Sequence, residues 1–475
     1  MEPASLLEEI RFGYGPLAGT TPAPGGVNPD RVLAQLTATD LSASVWNRPG
    51  IADRYALFAQ FKQEKMAAHP KKGGTNNKVN AIAPENMAAP ENMSETEGMI
   101  VKGGAGKQLK DLEKVDEETF VSRPATASLG FVERLVNLWA NRITISDSGG
   151  GVGRYIQNFR DEAIRPHIAG RYADLLKATL WHPGMLTYLT QYGSTGPNSK
   201  LGLRKGIGLN ENLAREFLEL HSMNTGYTQG DVTQLATLLA GMTTDATGSR
   251  VDDRRSEPGL KHILGQAYGD RDPMGEIDRL IEAVAHRPET AQATAFYIAR
   301  HFIADTPPAD LVTALAASYT ANDTNLIPVY RTLLEHPSAQ SADRQKLRSP
   351  QEFAAASLRL MGLTGQEDKM LGFNKHSMQV PAALARMGQP VFKALRPDGW
   401  PETSPGWMTP PMIAARIDWA VDVARATGDR ADPVALTDFA LGSYATPLLR
   451  RAVGGAEQRW EGLAVLLASP DFSRR

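Results

Sequence analysis

The apolar residues of this chain recur mainly at the spacing of one face of an α-helix. Phe131, Leu135, Leu138 and Trp139 stand at positions i, i+4, i+7 and i+8 of one such face. The same period predicts helices over residues 276–285, 290–302, 308–319, 326–334, 350–360, 380–387 and 411–426. Segments that alternate apolar and polar residues are scarce, and strands do not alternate with helices. The pattern therefore predicts an all-α protein, built as a large multi-helix, bundle-like domain.

The clearest predicted helix covers residues 209–221. It begins with Asn210 as an N-terminal cap and Glu211 in the first turn, where acids favour the helix dipole. Asn212, Arg215 and His221 are the other polar residues of this motif that we single out. Its apolar face holds Leu209, Leu213, Phe217 and Leu220.

A long stretch of the N-terminal half lacks this periodicity. From residue 63 to residue 118 apolar residues become rare, and the pentapeptide Ala-Pro-Glu-Asn-Met occurs twice, from Ala83 and from Ala89. The composition predicts a flexible insertion, either a tolerated surface loop or a segment that binds a partner. It separates an N-terminal helical segment, 1–62, from a core region, 119–245, and a C-terminal helical region, 246–475. These regions form one large domain or two associated lobes divided near residues 241–269.

Composition excludes several functional classes. The chain has 475 residues with 51 Lys and Arg against 53 Asp and Glu, so no overall basic field favours nucleic acid. Because it has no cysteine, it forms no disulfide and offers no thiolate to a metal. We find no stretch of transmembrane length and no secretory signal at the N-terminus, which predicts a cytoplasmic protein.

Two carboxylates of the 209–221 helix are the best candidates for chemistry. At about 100° per residue, Asn212, Glu216 and Glu219 lie within about 60° of one another on the helix. Helical bundles bind divalent metals through such inward carboxylates, so Glu216 and Glu219 are candidate metal ligands and catalytic residues. His221 lies about 140° from Glu216 on this wheel, so a histidine ligand would come from elsewhere. His167 and His182 are the candidates.

Each of these residues also has a structural interpretation. Glu216 and Glu219 would form ion pairs with Arg215, Arg165 or Arg171 between packed helices. His182, which precedes Pro183, would cap a helix, and His221 would stabilise a helix C-terminus when protonated. The pair Trp400 and Trp407 would either pack on the neighbouring prolines or line a pocket.

Several motifs resemble those of a bacterial family, the domain-of-unknown-function family 1800. The motif of the 209–221 helix is its centre, and the similarity extends over nearly the whole chain. Further similar segments are Arg11-Phe12-Gly13-Tyr14-Gly15-Pro16, Ile164-Arg165-Pro166-His167, Gly196-Pro197-Asn198-Ser199, Met387-Gly388-Gln389-Pro390, Pro397-Asp398-Gly399-Trp400-Pro401 and Ser469-Pro470-Asp471-Phe472.

The resemblance implies a partner more than an activity. Members of that family are often exported and encoded beside proteins of the domain-of-unknown-function family 1501, so export as the passenger of such a partner is an alternative to a cytoplasmic location. Two family histidines are replaced here. Arg142 stands in Trp139-Ala140-Asn141-Arg142-Ile143, where the family has His, and Ser256 stands in Ser256-Glu257-Pro258-Gly259-Leu260-Lys261.

Two functions follow as hypotheses. The first is a non-catalytic partner or assembly protein that acts with a family 1501-like neighbour and exposes an apolar patch or groove. The second is a metal-assisted enzyme, a hydrolase or an oxidoreductase, centred on Glu216 and Glu219 with a divalent metal.

Overall fold

The computed structural model describes residues 6–22, 25–38, 41, 49–68, 104–128, 130–147, 151–245, 248–363 and 380–475. Helices make up most of this part of the chain, which confirms the predicted all-α class. The helices before residue 240 are Leu7–Phe12 (α1), Pro29–Ala38 (α2), Ile51–Ala68 (α3), Ala105–Thr126 (α4), Gly130–Arg142 (α5), Gly153–Asn158 (α6), Tyr172–Leu180 (α7), Pro183–Tyr188 (α8), Lys200–Lys205 (α9), Asn212–Glu216 (α10) and Gln229–Leu239 (α11).

The helices after residue 270 form a second series. They are Pro273–Ala285 (α12), Pro288–Phe302 (α13), Ala309–Ala321 (α14), Leu326–Glu335 (α15), Pro337–Gln340 (α16), Pro350–Met361 (α17), Val380–Arg386 (α18), Pro410–Thr427 (α19), Pro433–Leu441 (α20), Pro447–Gly454 (α21), Arg459–Ala468 (α22) and Pro470–Ser473 (α23). Short 3₁₀ turns lie at Arg165–His167, Gln191–Gly193, Ser404–Trp407, Gly428–Arg430 and Gly442–Tyr444. Among the described residues, no helix is long and apolar enough to cross a membrane.

Two small antiparallel hairpins separate the series. Strands Met242–Asp245 (β1) and Gly248–Val251 (β2) pair with Met242 opposite Val251. Strands Lys261–Ile263 (β3) and Gln266–Tyr268 (β4) pair with Lys261 opposite Tyr268. The helical period did not predict these strands, because each has only three or four residues.

Two helices change to the wider π-helical form. One π segment, Phe159–Ile164, continues α6, and the other, Phe217–Ser222, continues α10. In the second, the Met223 amide donates to the Leu218 carbonyl five residues earlier, at 3.0 Å. The predicted 209–221 helix is therefore present only from Asn212 to Ser222, and its second half does not follow the angles of an ideal α-helix. Such π segments are rare and are frequent at functional sites.

Helical residues occupy both ends of the predicted insertion. Helix α3 ends at Ala68 and α4 begins at Ala105, where Gly104 extends the chain and the Ala105 amide donates to Glu64. The repeated pentapeptide, within 83–93, lies outside the described residues.

The described helices enclose two hydrophobic cores. The first core draws on α2, α5 to α8, α10 to α15 and the hairpins, and we call this part lobe 1. The second draws mainly on α17 to α23 with part of α4, and we call it lobe 2. Helix α1 contributes to both cores, and the partly buried Phe392 and Tyr444 pack against both. The cores are thus divided between α16 and α17, later in the chain than the predicted 245/246 boundary, because β3, β4 and α12 pack into lobe 1.

Candidate functional site

A pocket lies where the two lobes meet. It has a cavity volume of about 80 Å³, and about 810 Å³ of empty space when the solvent in its open mouth is included. Its aromatic and apolar lining residues include Phe120, Ile145, Ile156, Phe159, Phe392, Trp400 and Trp407. Its polar lining residues, which we call the polar wall, include Asn137, Asn141, Arg160, His301, Lys346, Ser349, Gln351, Glu352, Gln389, Glu402 and Arg475.

Asn141 on α5 fixes the loop that carries the two tryptophans. Its Oδ1 accepts from the Trp400 amide at 2.7 Å, and its Nδ2 donates to the Trp400 carbonyl at 3.1 Å. Nδ2 also donates to Glu402 Oε1 at 2.8 Å. Gly399 has φ +79°, and a Cβ there would lie 2.4 Å from the Asn141 carbonyl oxygen. Only glycine allows the loop to approach α5 this closely.

His301 and Glu402 form a buried pair across the two lobes. Glu402 Oε2 lies 2.9 Å from His301 Nδ1, and Arg134 Nη2 lies 3.0 Å from His301 Nε2. Because a guanidinium only donates, Nε2 is the acceptor and Nδ1 carries the proton. Burial lowers the pKa of His301 to about 4, so the ring is neutral near pH 7. The neighbouring His301 and Lys346 outweigh the effect of burial on Glu402 and lower its pKa to about 2.

A second buried carboxylate binds two arginines. Arg134 pairs with Glu352 Oε1, while Arg475 Nε donates to Oε2 at 3.0 Å. The Ser349 amide also donates to Oε2 at 2.9 Å. Although burial opposes it, the two arginines hold the pKa of Glu352 far below its usual range. The carboxylate is therefore ionised and fully hydrogen-bonded.

Lys346 of the polar wall binds an aspartate that lies behind it, beside the tryptophan loop. Lys346 Nζ binds Asp305 Oδ1 at 2.7 Å and also donates to the Glu402 carbonyl. The Ser404 amide donates to Asp305 Oδ2 at 2.8 Å. Trp407 is buried, with its indole N–H on the Pro401 carbonyl at 2.9 Å, and its ring centroid lies 6.1 Å from that of Trp400. Both tryptophans line the pocket, and Trp407 also contacts Pro401, so the two interpretations do not exclude each other.

Glu216 and Glu219 lie outside this pocket. Burial, and then the charge of Glu219, raise the pKa of Glu216, with a smaller contribution from Asp398 and an opposing one from Arg215. Burial and the charge of Glu219 raise the pKa of Tyr227. Glu216 thus lies within electrostatic range of two other acids, Glu219 and Asp398.

The ion pairs predicted for these glutamates with Arg165 and Arg171 are not formed. Arg165 binds both oxygens of Glu133, at 2.8 and 2.9 Å. Arg171 pairs with Glu282 across α7 and α12. The two arginines therefore satisfy other carboxylates, and Arg215 pairs with Glu211 at 3.4 Å.

His182 caps α8. Its Nδ1 accepts from the Gly184 amide at 3.0 Å, and its ring meets Phe159 edge to face with centroids 5.2 Å apart. Burial lowers the pKa of His182 to about 3. His167 ends a 3₁₀ turn, and burial lowers its pKa as well, although Asp174 opposes the shift. His182 therefore has the structural contact predicted as the alternative to metal binding.

His221 differs from the protonated helix terminus that the sequence suggested. It is buried in the π segment, and burial together with the nearby Arg142 lowers its pKa to about 3. Arg142 Nη2 donates to the Ser222 carbonyl at 3.3 Å, and its guanidinium lies 4.9 Å from the Tyr297 ring centroid. Arg142, which replaces a family histidine, thus faces a neutral imidazole. Ser256, the other replacement, donates its amide to the Asp252 carbonyl at 3.0 Å.

One group of three possible metal ligands occurs in the part of the chain that the structure describes. Glu282, His286 and Asp323 place ligand atoms within 4.8 Å of one another. The group is largely exposed, and Arg171 pairs with both acids. It contains none of the predicted ligands Glu216, Glu219, His182 and His167, for which a shared metal stays a prediction.

Sequence reasoning missed most of the polar wall. The motifs quoted above contain Asn141, Gln389 and Trp400, which line the pocket. They gave no signal for Arg160, Glu352 or the other charged residues, because these stand in separate helices and loops far apart in the sequence.

Comparison with known proteins identifies a family and no activity. The sequence model of a family described as "Protein of unknown function (DUF1800)" matches residues 9–474. No curated protein and no solved structure matches the chain.

Proposed function

The chain belongs to the DUF1800 family, and from the pocket between its two lobes we propose that it is a non-catalytic protein that binds a small molecule. The observation that carries the proposal is the joint construction of the pocket. Aromatic side chains and polar side chains from both lobes line the same pocket. This combination is typical of small-molecule sites.

The polar wall supports binding because its groups are held in place by one another. Asn141 binds the backbone on both sides of the tryptophan loop, and Glu352 has three donors. Side chains that are already fixed lose little conformational entropy when a ligand arrives.

The same hydrogen bonds favour binding over catalysis. Both ring nitrogens of His301 have partners, and both carboxylate oxygens of Glu402 accept hydrogen bonds from His301 or Asn141. A general base needs a free lone pair within reach of the substrate proton. With a pKa of about 4 and its acceptor nitrogen on Arg134, His301 is poorly suited to that role.

The experiment is to fill the pocket and measure binding. Ala140 is a partly buried residue of α5 that lines the pocket, so Ala140→Phe should block it without touching the charged wall. We would screen sugars, amino acids and organic acids by the tryptophan fluorescence of the wild type, since Trp400 and Trp407 lie in the pocket. Ala293→Phe on α13, which is also partly buried but does not line the pocket, is the matched control.

A binding compound should lose its fluorescence response in Ala140→Phe and keep it in Ala293→Phe. Equal responses in both variants, or no response from any compound in the wild type, would refute the proposal.

An assembly role with a family 1501-like partner is a second proposal, and exposed apolar side chains favour it. Ile417, Val434 and Leu448 are exposed on α19, α20 and α21, three helices that all pack on α22. Exposed apolar groups on neighbouring helices suit a protein interface. Co-purification of the two proteins should be lost in Leu448→Asp, and an unchanged yield would count against this surface. Fractionation of cells making both proteins would decide between a cytoplasmic location and export with the partner.

A further inference from the structure

Arg160 is a pocket cation without a carboxylate of its own. It lies in the first π segment, and its side chain donates to Asn137 Oδ1 and approaches the Phe120 ring at 5.3 Å. It forms no ion pair with a carboxylate among the described residues. The nearest acids are committed elsewhere, since Asp161 binds Arg123 and Glu133 binds Arg165.

The surplus of positive charge extends behind the pocket wall. Apart from the closed pairs Arg123–Asp161 and Arg165–Glu133, six cations accompany three carboxylates among the described residues of this wall and the layer behind it. The cations are Arg134, Arg160, Lys346, Arg348, Arg416 and Arg475, and the carboxylates are Asp305, Glu352 and Glu402. Buried charges that lack counter-ions are costly, so this arrangement favours an anion that enters the pocket.

Two of these cations interact mainly with backbone and rings. Arg348 donates to the Phe472 carbonyl at 2.6 Å, and Arg416 donates to the Arg348 carbonyl at 2.8 Å. Arg416 Nε and Nη1 are buried without a hydrogen-bond partner. Burial lowers the pKa of Arg348 to about 9 and that of Arg416 to about 10. Among the described residues, Glu352 is the only carboxylate whose charge favours the protonated guanidinium of both Arg348 and Arg416. Arg134 and Arg475 already bind it.

We propose that the pocket binds an organic acid, with its acidic group on Arg160 and its apolar body between the aromatic side chains. The proposal deepens the proposed function and rests on it, because it names the class of ligand. Asn137 and Gln351 supply amide groups beside Arg160, and Phe120, Phe392 and Trp400 supply the apolar surface. A guanidinium pairs with carboxylate in a two-point geometry that a neutral ligand does not offer.

The test compares acids with neutral molecules of nearly the same shape. Benzoate is paired with benzamide, nicotinate with nicotinamide and glucuronate with glucose, and the melting temperature of the full chain is measured at increasing concentration of each. A ligand that binds only the folded state raises the melting temperature by mass action. We expect a saturable rise with at least one acid and a smaller rise with its neutral partner.

Arg160→Gln keeps a donor beside Asn137 and removes the charge. It should weaken binding of the acid at least about tenfold, as expected for the loss of a charged hydrogen bond. Arg396→Gln is the control, because Arg396 is exposed on the same loop as Trp400 and does not line the pocket. Without any added acid, Arg160→Gln should melt at the same temperature as the wild type or higher, since it removes an uncompensated charge.

Three results would overturn the proposal. The first is a rise in melting temperature that is equal for an acid and its neutral partner, and the second is no rise with any acid. The third is an Arg160→Gln variant that binds the acid as well as Arg396→Gln does. If no acid binds, but a neutral compound binds the wild type and is blocked by Ala140→Phe, the proposed function stands and only the organic acid is refuted.

Discussion

Two pairs of glutamates in this protein differ in what surrounds them. Glu352 and Glu402 are buried at the pocket and meet guanidinium, imidazole and amide donors, so their pKa values fall. Glu216 ends α10 and Glu219 lies in the π segment after it, and burial together with the charge of Glu219 raises the pKa of Glu216. Fixed protein groups compensate the negative charge of the first pair, whereas a bound cation would stabilise the charge of the second. The hydrogen-bond donors around a pair of acids, more than the number of acids, thus determine whether their charge is compensated.

The largest difference should appear when one carboxylate of each pair is neutralised. Glu352→Gln leaves Arg134 and Arg475 without their carboxylate, and breaking a buried ion pair in this way costs about 3–5 kcal/mol. The free energy of unfolding should fall by that amount in urea denaturation. Glu219→Gln, made in the same way, serves as the comparison. If both variants lost equal stability, the contrast between the pairs would be wrong.

Lowering the pH should destabilise the protein through its buried neutral histidines, of which His301 lies at the pocket. Burial lowers the pKa of His301 to about 4, and those of His182 and His221 to about 3. A histidine with a lowered pKa stabilises the fold fully above its unfolded value, about 6.5, and this contribution is lost as the pH falls towards the folded value. Over that pH range, each histidine should lower the free energy of unfolding by about 1 kcal/mol for each pH unit of acidification.

The variant His182→Asn isolates one of these contributions, because Asn can still cap α8. Urea denaturation at a series of pH values should show a shallower slope below pH 6.5 for this variant than for the wild type. The exposed His262→Asn should retain the slope of the wild type. A slope that is the same in all three proteins would contradict the assignment.

The smallest effect is expected at Glu216. A carboxyl group whose pKa is raised on folding stabilises the fold below that pKa and opposes it at higher pH. Glu216→Gln should therefore leave stability at neutral pH unchanged or raise it, by less than about 1 kcal/mol because the group is half-exposed.

The metal hypothesis predicts that the same variant loses a bound ion. Elemental analysis of protein purified without chelator or affinity metal would then show one or two ions per chain, lost in Glu216→Gln and in Glu219→Gln. No metal in the wild type would leave the glutamates as a pair of like charges and remove the alternative of a metal-assisted enzyme at this position.

Periodicity predicted the amphipathic helices well. Residues 290–302 and 326–334 were predicted as helices, and α13 and α15 cover Pro288–Phe302 and Leu326–Glu335. The C-terminal helices α20 to α22 were not predicted. Helix α22 buries neighbouring residues around Gly462–Leu467 on more than one side, so it lacks a single apolar face.

The candidate site was harder to predict than the helices. Glu216 and Glu219 stood out because they share one helix, where spacing alone places them together. The pocket is assembled from side chains such as Asn141, His301, Glu352 and Glu402, whose meeting depends on how the lobes pack. A single sequence carries no direct record of such contacts. From the sequence, only Trp400 and Trp407 were predicted as possible pocket residues.

The hydrogen bonds that cross between the lobes also bear on how the protein unfolds. Arg134 and His301 of lobe 1 find their carboxylates, Glu352 and Glu402, in lobe 2. Neither lobe can separate without losing partners for its own buried polar groups, so we expect the two to unfold in one cooperative transition. A ligand bound between the lobes would add a further contact across them, so its release would be coupled to their separation.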